Sequence, residues 1–216
     1  DYFKGTLPEF PAGKPLFIFA SHFHADHYAP VIFQLGEKRE NVFYILSKEI
    51  GKKIPEEYRK RYKDRIRLVK AGERFCLNIS EESLIVETFH STDEGVAFWL
   101  SCEGKEIYHA GDLNNWWWEG EDMAWNRNMA ASYKQEMKKL SGRTADLAFI
   151  PVDPRQEQWF YLGAAGFMEQ ADAKWIFPMH FWEDYTIIPK LIEHPSSEGW
   201  RDRIVEIHKE GEEFIR

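Results

Sequence analysis

The feature that most constrains this chain is seven residues long. Ser21-His22-Phe23-His24-Ala25-Asp26-His27, an H-x-H-x-D-H pattern, directly follows the apolar run Leu16-Phe17-Ile18-Phe19-Ala20. An apolar run of that length, bounded by Pro15 and a polar cluster, reads as a buried strand. Residues two apart on an extended chain share a face, so His22 and His24 can point at one metal ion. The turn that follows lets Asp26 and His27 face a neighbouring position, where a second ion fits. Imidazole nitrogen and carboxylate oxygen suit zinc, and also iron or manganese. Four ligand-type side chains this close have few structural uses besides metal binding.

A site for two ions needs about three or four protein ligands per ion, so further donors are required. Three candidates stand at comparable places. His90 ends the run Leu84-Ile85-Val86-Glu87-Thr88-Phe89, Asp112 follows Ile107-Tyr108-His109-Ala110-Gly111, and His180 follows Trp175-Ile176-Phe177-Pro178-Met179. Gly111 permits a close backbone turn. All of these candidates lie at or just past the carboxyl ends of strands, where α/β folds gather their sites.

The rest of the chain reads as alternating strands and helices interrupted by hairpins, which indicates an α/β layered sandwich. Strands are expected at residues 42–46, 66–69, 74–79, 84–89, 96–102, 105–109, 146–152 and 174–178. Helices are expected at 29–37, 48–64 with Pro55 as a break, 125–140, 156–171, and one or two within 186–208. Glu103-Gly104 reads as a two-residue hairpin connection. The 216 residues are 44% hydrophobic and 16% aromatic, enough for one sizeable core, and no low-complexity linker divides them. One domain over residues 1–216 is expected. No apolar run approaches the roughly 20 residues of a spanning helix, so no membrane partner is expected.

Lys and Arg number 28 against 36 Asp and Glu, a net charge of −8, which disfavours nucleic-acid binding driven by net charge alone. Residues 48–70 depart from this balance, with ten basic and four acidic side chains; they read as a solvated helix face and the strand after it, or as a basic flank that attracts an anionic substrate. Two cysteines, Cys76 and Cys102, without C-x-x-C spacing, fit buried small hydrophobes in a reducing, cytoplasmic compartment. The sequence opens at Asp1-Tyr2-Phe3 without an initiator Met, so it leaves open whether residues precede it.

Taken in order, H-x-H-x-D-H, a lone His, an Asp in a G-D turn and a final His, the chain resembles the metallo-β-lactamase-fold hydrolases from residue 16 to residue 182. The phrases Ala110-Gly111-Asp112-Leu113 and Phe177-Pro178-Met179-His180 are similar to those of the ascorbate-6-phosphate lactonase-like branch. The resemblance implies a four-layer αβ/βα sandwich. It implies that His22, His24 and His90 hold one metal ion, that Asp26, His27 and His180 hold a second, and that Asp112 bridges them. Relative to the family, a strand hairpin of about 20–25 residues before the position matched by Asp1 is missing, which predicts an open edge on one sheet.

The implied activity is hydrolysis. Two adjacent cations lower the pKa of a bridging water, and the resulting hydroxide attacks an ester, lactone, amide or phosphoester of a small, anionic substrate. Asp26 would orient that hydroxide and accept its proton. Arg155 is a candidate for holding a substrate carboxylate or phosphate bidentately. Asp184, four residues past His180, is a candidate for fixing a ligand tautomer. Among Trp116, Trp117 and Trp118, at least one is expected to line the mouth of the site, with Trp116 named for it, or to form a contact surface that makes a homodimer plausible. His109, three residues before Asp112, reads as an ordinary strand-end residue, with support of the metal ligands as the alternative. Two alternatives stand beside hydrolysis of a small molecule. A nuclease or phosphodiesterase would use the basic segment 48–70. A di-iron oxidoreductase of this fold typically has Glu where this chain has His24.

Overall fold

The computed structural model describes residues 1, 9–11, 13–37, 39–78 and 83–215. Strands β1 (Leu16–Ala20), β2 (Val42–Ser47) and β3 (Ile66–Val69) form a parallel sheet in that order. Parallel neighbours need crossovers. Here they are the 3-10 helix Pro30–Gly36, then the 3-10 turn Lys48–Lys52 with helix α1 (Glu56–Arg61).

A second sheet holds β4 (Arg74–Asn78), β5 (Ser83–His90), β6 (Val96–Cys102), β7 (Lys105–His109), β8 (Thr144–Pro151) and β9 (Asp172–Met179) in sequential order. It is antiparallel from β4 to β7 and parallel from β7 to β9. Glu103 and Gly104 both take positive φ, 51° and 70°, the twist-matched geometry of a two-residue hairpin. The parallel half is crossed by α2 (Met123–Lys138) and α3 (Leu162–Met168), and α4 (Ile187–Glu193) follows β9.

The two-residue period of the strands sorts apolar side chains into three cores. Ile18, Ala20, Val42, Tyr44 and Leu46 meet Ile32, Phe33, Ile50 and Tyr62 from the crossovers of the small sheet. Phe17, Phe19 and Ile45 point the other way, against Val86, Val96 and Phe98 of the large sheet. On the far side of the large sheet, Trp99, Tyr108, Ala148 and Ile176 meet Tyr133, Met137, Phe167, Ile188 and Leu191. Helix, sheet, sheet and helix therefore stack in four layers.

Strands β5, β7, β8 and β9 run in one direction, because β5 and β7 are both antiparallel to β6. Their carboxyl ends share one edge of the large sheet. The loops after them converge there with the segment that follows β1.

Several expected boundaries shift for local reasons. Helix α2 begins before residue 125 because the Asp122 carboxylate accepts from Trp125 N and caps it. The helix expected at 156–171 is divided: Glu157 takes φ 53° within the 3-10 segment Pro154–Trp159, ahead of α3. The closing helix ends at Glu193, since His194 precedes Pro195 and is extended. Of the strand expected at 74–79, Ile79 lies outside the described residues. Cys76 is not buried: β4 is an edge strand whose alternation turns Phe75 and Leu77 inward and Cys76 outward. Among the described residues β1 is an outer strand of the small sheet, and no described helix is long and apolar enough to cross a membrane.

Candidate metal centre

The segment after β1 turns sharply, with His27 N and Tyr28 N both donating to His24 O at 3.0 and 2.8 Å. This turn separates the two halves of the motif, and donor atoms gather in two groups. In one, Asp26, His27 and His180 place ligand atoms within 4.8 Å of one another. Asp112 Oδ1 joins them. His27 Nε2 lies 3.4 Å from Asp26 Oδ2 and 3.1 Å from Asp112 Oδ1, and His180 Nε2 lies 3.6 and 3.5 Å from the same two oxygens. A tetrahedral ion with bonds of about 2.0–2.1 Å would hold its donors about 3.3–3.4 Å apart. His27 Nε2 and Asp112 Oδ1 are buried without a hydrogen-bond partner, a costly arrangement that a cation between them would relieve. The residues present fit a metal ion.

The other group contains His22, His24, Asp93 and Asp112, again within 4.8 Å. His22 Nε2 lies 3.0 Å from His24 Nδ1 and 3.4 Å from Asp112 Oδ2. Asp112 thus offers one oxygen to each group. His90 is not in this group: it ends β5 exposed, still paired with Val96. Asp93 Oδ2 stands 4.0 Å from His24 Nδ1, on a loop whose end is tied to the motif by Val96 N donating to Ser21 O at 3.0 Å. His90 instead lines a groove of about 530 Å³ with Asp93, Trp125, Asn128 and Met129.

Electrostatics follow from burial and proximity. Burial and the neighbouring His27 ring push His22 down to about 4. Asp112 is buried, which favours its neutral form, but the His180 and His27 rings outweigh burial and hold it well below the usual carboxylate range. Burial likewise opposes charge on His180, yet Asp112 and Asp153 raise it to about 9.

Several supporting side chains were not assigned from sequence. The Asp1 carboxylate accepts from Ser21 N at 2.7 Å, Ser21 Oγ at 2.9 Å and His27 Nδ1 at 2.8 Å, which leaves His27 Nε2 for a metal. Asp153 does the same for His180, accepting from Nδ1 at 2.9 Å. This was the role expected of Asp184, whose carboxylate instead accepts from Thr186 N and Oγ1 in its own exposed turn. His109 Nδ1 accepts from Gly111 N at 3.0 Å and so braces the turn that carries Asp112.

Arg155 is also placed differently from the expectation of an open substrate clamp. Its Nε and Nη2 engage Asp153 bidentately, and its guanidinium lies 4.6 Å from the Trp182 ring. Trp116 does not line an open mouth. It is buried, its indole N–H donates to Asp112 O at 2.9 Å, and its ring meets the His180 ring edge-on. Its position is set by the Asp112 turn, which brings the indole back beneath the site.

No protein-family model matches the chain, and no curated protein sequence does. Solved structures do. CmlA, a diiron beta-hydroxylase from Streptomyces venezuelae, aligns with TM-score 0.55 and 12% identity over 92% of this chain, which spans only 44% of CmlA. YhfI, a metallo-beta-lactamase fold protein from Bacillus subtilis, aligns with TM-score 0.52 and 14% identity, covering 93% of this chain and 77% of YhfI. Identities this low speak to fold alone, and the fold is that of the metallo-β-lactamase fold proteins.

Proposed function

We propose that the protein is a binuclear metal-dependent hydrolase of a small anionic substrate. The observation that carries this reading is the convergence of Asp26 Oδ2, His27 Nε2, His180 Nε2 and Asp112 Oδ1 at 3.1–3.6 Å, with two of those atoms buried outside any hydrogen bond. Asp26, His27 and His180 would hold one ion and His22 and His24 the other, with Asp112 offering an oxygen to each. Zinc is the ion the donor set suits best, with manganese or iron as alternatives. Bound divalent ions would lower the pKa of a water and polarise a carbonyl or phosphoryl oxygen.

The chain's own groups supply the rest. Asp26, whose side chain is 26% exposed against 5% for Asp112, takes the proton of the attacking water. Asp1 and Asp153 keep the His27 and His180 rings in one tautomer. Arg155, half exposed and anchored by Asp153, offers positive charge to an incoming carboxylate or phosphate. Small anionic lactones and phosphoesters are the substrate classes this charge favours.

The test is metal content per chain by inductively coupled plasma mass spectrometry, on protein purified without chelator, with turnover of a lactone and phosphoester panel. The wild type should hold two ions, and Asp112→Ala should lose at least one ion and nearly all turnover. Full metal content with unchanged hydrolysis in that variant would overturn the assignment, and two irons with no hydrolysis would favour oxidoreductase chemistry.

A further inference from the structure

The family pattern gives the lone histidine, His90, to the ion held by His22 and His24. The geometry points elsewhere: we infer that Asp93 is the third protein donor to that ion and that His90 donates to neither ion. The inference rests on the binuclear reading above and assigns one of its ligands.

Three observations support it. Asp93 Oδ2 stands 4.0 Å from His24 Nδ1, and the donor atoms of His22, His24, Asp93 and Asp112 all lie within 4.8 Å of one another. The His24 and Asp93 side chains are 42% and 47% exposed, so each can turn the few tenths of an ångström that closes on a cation. His90, in contrast, is held in register on β5 against Val96, and its backbone N–H donates to Glu136 Oε2 at 3.2 Å across to α2. Its side chain is exposed and is absent from both groups of converging donor atoms.

The loop that carries Asp93 is tied to the elements that carry the other donors. Asp93 N donates to Ser91 Oγ at 3.1 Å. Thr92 Oγ1 donates to Asn114 O at 2.6 Å and accepts from Asn114 N at 3.0 Å, two residues past Asp112. Asn114 is itself buried and donates to Gln156 Oε1 at 2.9 Å. Gly95 takes φ +72°, and a β-carbon there would lie 2.0 Å from Ser21 O and 2.7 Å from His22 Cβ. Val96 N donates to that same Ser21 O at 3.0 Å. The loop is therefore fixed to the start of the motif at one end and to the Asp112 turn in its middle.

Two imidazoles and two carboxylates make a harder donor set than three imidazoles and one carboxylate. Such a set discriminates less strongly for zinc over manganese or iron(II).

The test compares wild type, His90→Ala, Asp93→Ala and the near-isosteric Asp93→Asn, each checked for folding by circular dichroism. Ions per chain are counted by mass spectrometry after loading with Zn²⁺ or Mn²⁺ and dialysis. We expect two ions in wild type and His90→Ala, and one in both Asp93 variants. Asp93→His should regain the second ion with a shift in preference towards zinc. Loss of an ion from His90→Ala, with or without loss from the Asp93 variants, overturns the inference while the binuclear reading stands. Two ions retained by Asp93→Ala and Asp93→Asn overturns it in the same way. A wild type that takes up no ion overturns both.

Discussion

The fully buried carboxylate of Asp153 accepts the Nδ1 proton of His180 at 2.9 Å, and Nε2 of the same ring faces Asp112 Oδ1 at 3.5 Å. One side chain therefore decides which nitrogen His180 presents to a metal. Burial opposes the charge on Asp153, but His180 and Arg155 outweigh it and hold the carboxyl down at about 2. Removing this kind of partner from a metal-ligating histidine costs about 10–100-fold in metal affinity. Asp153→Asn should show a loss of that size at one of two ions in chelator-competition titrations. Asp184→Asn, altered in an exposed turn that does not touch His180, should titrate like wild type. Equal behaviour of the two variants would remove the tautomer argument.

The same ring sets a pH dependence for metal uptake. In the metal-free chain His180 is raised to about 9 by Asp112 and Asp153 against the opposing effect of burial. A raised histidine contributes stability that is fully present below its unfolded value of about 6.5 and is lost as pH climbs through about 9. Metal binding needs the neutral ring, so uptake must release this proton below pH 9. His22, pushed down to about 4, is already neutral there and does not compete. Apparent affinity should therefore rise by up to about tenfold per pH unit between pH 6.5 and 9, while the metal-free protein melts at lower temperature over the same range. A flat affinity profile, after correction for the chelator, would contradict the proton count.

Gly95 and Gly72 separate backbone strain from steric exclusion. Both have positive φ, +72° and +80°, but a β-carbon at Gly72 meets nothing within 4 Å, whereas at Gly95 it would strike Ser21 O. Left-handed backbone costs a non-glycine residue about 1–2 kcal/mol. Gly72→Ala should lose roughly that much in denaturant unfolding. Gly95→Ala should lose about 2 kcal/mol or more beyond it, since a buried backbone carbonyl must move. Equal losses would show that the loop at 91–95 has room to shift.

What could be read in advance tracks how local the determining physics is. Strand alternation is local, and Phe17 and Ile18 part to opposite faces of β1 as their spacing requires. The donors of H-x-H-x-D-H are local too, because one strand end and one turn position all four. Asp93 was not legible, because it reaches His24 only through Gly95's left-handed turn and Thr92's tie to Asn114, contacts more than 20 residues apart in sequence. Asp184 misled for a related reason. Spacing of four suggests neighbours on a helix, but His180, Trp182 and Glu183 all take positive φ, so no helical turn joins Asp184 to His180. Asp153 lies 27 residues from the ring it orients, and only the parallel pairing of β8 with β9 brings them together.

Helix α2 also reaches the site, through Asn126. Its buried amide accepts from Trp118 N at 3.0 Å and donates to Trp118 O at 2.8 Å, clamping one residue with both ends of the side chain. Trp118 stacks on Trp116 at 5.7 Å with an interplanar angle of 6°, and Trp116 donates to Asp112 O. Asn126→Ala removes both clamp bonds together and leaves the Trp118 backbone to find water. At about 1 kcal/mol for each bond, with a further penalty for any group left buried, the loss should be about 2–3 kcal/mol. Because the clamp is linked to Asp112 through two indoles, the variant should also show red-shifted tryptophan emission and weaker metal binding. Stability lost with emission and metal affinity unchanged would confine Asn126 to holding the loop and break its link to the metal centre.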